Sequence, residues 1–74
     1  MKAKHSSLLY RDLSNSQRYE FLMYGYYTVY AVFLGKHKIA EYKSRITADL
    51  LVKSLKESHR NISVVQYCLI PKDM

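Results

Sequence analysis

Seventy-four residues, one cysteine and twelve Lys+Arg against six Asp+Glu describe a single small basic domain, residues 1–74, of formal charge +6. These totals exclude an intrachain disulfide and a second domain with its own core. With two glycines in all, they also exclude a glycine-rich phosphate loop. They favour a reducing, cytoplasmic setting and a polyanionic or acidic partner.

A core of this size supplies about 3–5 kcal/mol of net stability, so a homo-oligomer or a bound partner is an open further source. Eight tyrosines and no tryptophan add a second theme, because tyrosine suits positions with one end packed and the other wet or in contact. The basic start Met1-Lys2-Ala3-Lys4 is not followed by an apolar stretch of signal-peptide type. The uncharged run Phe21–Leu34 spans 14 residues, short of the roughly 20 that a membrane helix needs. No membrane association is expected.

In chain order, residues 1–7 read as polar and loose, and residues 1–13 as a flexible N-terminal segment. Leu8, Leu9, Tyr10 and Leu13 form an apolar patch within it that needs a surface to cover. Ser14-Asn15-Ser16-Gln17 has capping-box spacing, a hydroxyl for the N3 amide and a glutamine to reach back. Gly25 stands where a left-handed residue would end the helix. The two signals agree and predict a helix over residues 15–24 with Tyr19, Leu22 and Met23 inward. The rival is a strand with Tyr19, Phe21 and Met23 on one face.

Tyr26–Leu34 is β-branched and aromatic without charge or proline, the composition of a central strand. Gly35-Lys36 suits a two-residue type II′ turn, with a loop at Lys36-His37 as the alternative. Ile39–Ser44 then forms a second strand. Either turn places Val29, Ala31, Phe33, Ala40 and Tyr42 on one face, read as the core. Thr28, Tyr30, Val32, Ile39, Glu41 and Lys43 fall on the other. That second face meets either the N-terminal segment or a partner.

Residues 46–59 read as a helix capped by Ser44 or Thr47, with Ala48, Leu51, Val52 and Leu55 on its sheet-facing stripe. Asp49 can pair with Lys53. Ile46 and Leu50 lie on the flank or outside. Ile62–Ile70 is a third strand, apolar on both faces and ended by Pro71. Placing the third strand beside the first gives an α+β fold: a three-stranded antiparallel sheet in order 2-1-3, one packed helix, and a short N-terminal helix or extended segment.

Catalysis finds no support in residue spacing. His5, His37 and His59 sit in a tail, a turn and a helix end, Cys68 lies in an apolar strand, and no ligand spacing suggests a metal. Neither a cofactor nor a metal is expected, and the chain reads as a non-enzymatic binding protein. Lys36, Lys38, Lys43 and Arg45 make the hairpin tip and the start of the second helix the basic end. With Lys53 and Tyr30 they are the candidate partner contacts. Against a protein, exposed tyrosines beside Lys and Arg act as anchors, and Ile46 and Leu50 beside Lys53 form a mixed patch. Against RNA or DNA, Tyr30 and Tyr67 would stack on bases while the lysines track phosphate. The alternative for those tyrosines is simple core packing.

From Tyr27 to Lys72 the β-β-α-β order resembles that of a very small phage-encoded inhibitor of host RNA polymerase. The stretch Val65-Gln66-Tyr67-Cys68-Leu69-Ile70-Pro71-Lys72 is similar to its terminal strand, which also carries Cys followed by Pro-Lys. Arginines on that strand make the polymerase contact in the family. Val64 and Gln66 stand at the matching positions here, so that contact does not carry over, and the basic charge also departs from the family. The resemblance implies a compact viral or mobile-element protein that binds and blocks a host complex, as anti-restriction and anti-CRISPR proteins do.

Overall fold

The computed structural model describes residues 3–74. The fold is α+β, with strands β1 (Lys4–His5), β2 (Tyr27–Leu34), β3 (His37–Tyr42) and β4 (Ile62–Ile70) and helices α1 (Asn15–Tyr24) and α2 (Arg45–Leu55). A single 3-10 turn at Tyr10–Asp12 precedes α1. The strands form one sheet in the order β1-β4-β2-β3. The three strands expected from sequence hold their expected order, with β2 between β3 and β4.

The sheet is nevertheless four-stranded and mixed, not three-stranded and antiparallel. β1 pairs parallel with β4, Lys4 opposite Leu69 and His5 opposite Ile70, while β2 and β3 are antiparallel. Its polar sequence carries no strand pattern, so periodicity has nothing to detect. Backbone bonds hold the segment instead: Ser6 N–H donates to the Ile70 carbonyl (2.7 Å) and Lys72 N–H to the Leu8 carbonyl (2.7 Å). The loose reading of residues 1–7 is thereby corrected for residues 3–7, and residues 1–2 lie outside the described ones.

Two compact units divide the chain: residues up to Thr28 with Cys68–Met74, and Val29–Tyr67. In the first unit, α1 forms as its end signals dictate. Gln17 N–H donates to Ser14 Oγ (3.3 Å), Ser14 N–H donates to Gln17 Oε1 (2.9 Å), and Gly25 takes the left-handed conformation (φ 81°) that closes the last turn. Leu13, Tyr27 and Pro71 are its buried centre.

In the second unit, β2 turns into β3 through Gly35-Lys36, with Leu34 opposite His37. Gly35 has φ 62° and no other residue near it is positive, which fits a type II′ turn and not type I′. The expected turn is present, yet the expected face parity fails. Phe33 lies opposite Lys38 and Val32 opposite Ala40, so Ile39 is an extra residue in a β-bulge. Past the bulge Ala40 and Tyr42 share a face with Val32 and Tyr30, and Glu41 lies opposite Ala31. Val29, Ala31, Phe33, Ala40 and Tyr42 are therefore not one face. Both sides of β2 are closed, since Ala31 and its neighbour Val32 are each fully buried.

α2 contacts β3 and buries Ala48, with Leu51, Val52 and Leu55 half-buried. It stops at Leu55, four residues before the expected end. Lys56-Glu57-Ser58-His59 offers no apolar side chain to bury, and helical stability depends mainly on such packing. Instead Ser58 and His59 N–H groups both donate to the Leu55 carbonyl, in a closing turn. Gly35 N–H donates to the Asn61 carbonyl (2.9 Å), bringing the end of β2 to the start of β4.

Candidate binding surfaces

The predicted basic contacts all fall in the second unit. There, Lys36, Lys38, Lys43, Arg45, Lys53, Lys56 and Arg60 oppose Glu41, Asp49 and Glu57, seven against three, for a net of +4. Lys36 occupies the β-turn and Lys43 the exit from β3, both exposed. Lys38 is engaged with Glu41 (3.3 Å) across the bulge, and Arg45 with Asp49 (3.8 Å) along α2. Asp49 thus pairs one turn back rather than forward with Lys53, because Arg45 is itself the first helical residue. Both pairs are exposed, worth at most about 1 kcal/mol, and a stronger anion would displace either carboxylate. Lys36, Lys43 and Lys53 carry no ion pair among the described residues.

Tyr30 is half-buried opposite Tyr42, and Tyr67 on β4 is half-buried as well. Partial burial reduces the ring area that either could offer for base stacking. Ile46 and Leu50 are exposed on the outside of α2.

A second surface, in the first unit, was not legible from periodicity. Tyr19, Leu22 and Met23, expected inward, are exposed by 65%, 71% and 58%. The inward side of α1 carries Gln17, Glu20 and Phe21 instead, because hydrogen bonds orient the helix. Glu20 Oε1 accepts from the backbone N–H and the hydroxyl (2.9 Å) of Thr28, and Gln17 is held in its capping box. Arg18 donates to the Tyr10 carbonyl (3.3 Å) and the Arg11 carbonyl (2.5 Å) and lies 5.5 Å from the Tyr10 ring centre. Phe21 meets Tyr10 at 6.0 Å between ring centres. The three polar anchors and Phe21 set the rotation of α1, so the apolar stripe at i, i+3, i+4 points outward. Tyr24 and Tyr26, 6.3 Å apart, continue it past Gly25.

Among the described residues no group of three His, Cys, Asp or Glu could hold a metal ion, and no helix is long and apolar enough to cross a membrane. Comparisons with protein-family models, curated proteins and solved structures find no match to this chain.

Proposed function

We propose that this chain acts by binding rather than by catalysis, laying its basic unit over an acidic site on a protein partner and so occluding it. A host protein or nucleoprotein complex blocked by a phage or mobile-element product is the setting that this reading favours. The observation that carries it is the +4 unit, with Lys36, Lys43 and Lys53 exposed and free of carboxylate partners among the described residues. Such a surface accelerates encounter with an acidic patch and selects against basic ones. Lys38 and Arg45 join by exchanging weak internal pairs for stronger external ones.

Direct binding to RNA or DNA phosphates is the second reading, favoured by the same charge. The half-burial of Tyr30 and Tyr67 weighs against its stacking component.

The test uses the purified chain and a Lys36→Glu/Lys43→Glu/Lys53→Glu variant. Immobilised chain is expected to retain a stoichiometric protein from nuclease-treated host extract, and the variant to lose roughly 10–100-fold in affinity at low salt. A mobility shift of duplex or single-stranded nucleic acid, with a log–log salt slope of about −0.9 per phosphate contacted on duplex, would transfer the assignment to the second reading. Failure of both would reject the charge-based account.

A further inference from the structure

We propose that the outer face of α1 is covered by a second copy of this chain, in an antiparallel α1–α1 pair about a twofold axis between Leu22 and Met23. The face is large. Taking about 200 Å² for a large side chain, the exposed fractions of Tyr19, Leu22, Met23, Tyr24 and Tyr26 come to roughly 600 Å². That is the upper end of what a monomer leaves open, roughly 300–600 Å². It approaches the roughly 800 Å² that each partner of a standard interface contributes.

Charge selects the occupant. The two charged residues of α1, Arg18 and Glu20, are committed to Tyr10, Arg11 and Thr28, so the outer stripe carries no ionic group. Two copies of a +6 chain repel over most approaches, and this seam brings no like charges face to face. The comparable apolar pair on α2, Ile46 and Leu50, shares its helix with Lys53, which has no ion pair among the described residues, and lacks that property.

The sequence is also self-complementary about that axis. Leu22 meets Met23 of the other copy, and Tyr19 meets Tyr26 of the other copy, each contact occurring twice as a twofold interface requires. This inference stands apart from the charge-based function. Salt distinguishes them, since an apolar seam holds or tightens as salt screens the net repulsion, while basic docking weakens.

Sedimentation equilibrium of the full chain tests the pairing. At roughly 100 μM, well above a micromolar dissociation constant, the expected mass is twice 8.8 kDa. Leu22→Glu and Met23→Lys should each raise the dissociation constant about 100-fold, by placing unpaired charge in an apolar seam, with circular dichroism unchanged. Mixing the two variants should restore the dimer, because the axis sets each glutamate against a lysine. Ile46→Glu should leave the mass unaltered. A mass of 8.8 kDa for the unsubstituted chain would overturn the proposal. So would a dimer that neither substitution weakens, or a mixture that stays monomeric.

Discussion

Different forces hold each of the two compact units of this small chain. In the unit formed by residues up to Thr28 with Cys68–Met74 lie all but one of the side-chain hydrogen bonds among the described residues. In the unit Val29–Tyr67 the exception is the exposed Lys38–Glu41 contact, and buried Val29, Ala31, Val32 and Ala48 form the interior. The hydrogen-bonded unit exposes a run of apolar side chains on and just after α1, while the other unit exposes seven lysines and arginines with Ile39, Ile46, Leu50 and Val65 among them. A helix whose orientation is fixed by polar anchors is free to present its greasy side, and α1 does so.

The largest expected effect lies in the apolar-cored unit. Val32→Ala removes two methyls from a fully buried position closed on both sides of β2, and should cost about 2–3 kcal/mol in transfer and cavity terms. Urea denaturation reads this directly, with the midpoint falling and the slope unchanged.

In the other unit the counterpart is Glu20. Glu20→Ala leaves the Thr28 amide without its acceptor. With charged hydrogen bonds worth about 1.5–3 kcal/mol and this one partly solvated, a loss of about 2 kcal/mol is expected. Glu20→Gln keeps an acceptor oxygen and should lose less than half of that. Equal losses for both variants would mean that the charge, and not the acceptor, positions α1.

A smaller and opposite effect belongs to Tyr27. Its side chain is fully buried and its hydroxyl has no hydrogen-bond partner among the described residues. An unsatisfied buried hydroxyl costs about 1–3 kcal/mol, so Tyr27→Phe should raise stability by about 1 kcal/mol, visible as a higher melting temperature. A loss of stability would mean that the hydroxyl is bonded.

The fold was legible wherever a local signal decides the outcome. Ser14, Gln17 and Gly25 specify both ends of α1 by backbone chemistry, and Gly35 specifies the turn, so those boundaries follow from sequence. The strand Ile62–Ile70 is bounded by Pro71 and was equally plain. The bulge at Ile39 was not, because nothing in Lys38-Ile39-Ala40 requires an extra residue. It arises from pairing Ala40 with Val32 and Tyr42 with Tyr30, a gain that exists only once two strands meet. β1 was invisible for the same reason, being two polar residues held by backbone pairing with β4.

The rotation of α1 failed in the more instructive way. Tyr19, Leu22 and Met23 make the better apolar stripe, and hydrophobicity alone would bury them. Glu20 and Gln17, spaced three apart with Phe21 beside them, were the available signal for the opposite face. Their reading needs Thr28 and Tyr10 in place, which periodicity along the helix does not supply. The basic residues of the second unit were legible as a group, whereas their pairing, Arg45 rather than Lys53 with Asp49, awaited the helix start.

The orientation of α1 is the point on which the account turns, and paired alanine substitutions at Phe21 and Leu22 test it most directly. Urea denaturation is measured at sub-micromolar concentration, so that self-association does not contribute. Phe21 packs against Tyr10, and Phe21→Ala should cost about 2 kcal/mol. Leu22 projects into solvent, and Leu22→Ala should stay within about 0.5 kcal/mol. A cost of about 2–5 kcal/mol at Leu22, the range for a buried leucine, with little change at Phe21, would contradict the account and return the apolar stripe to the interior.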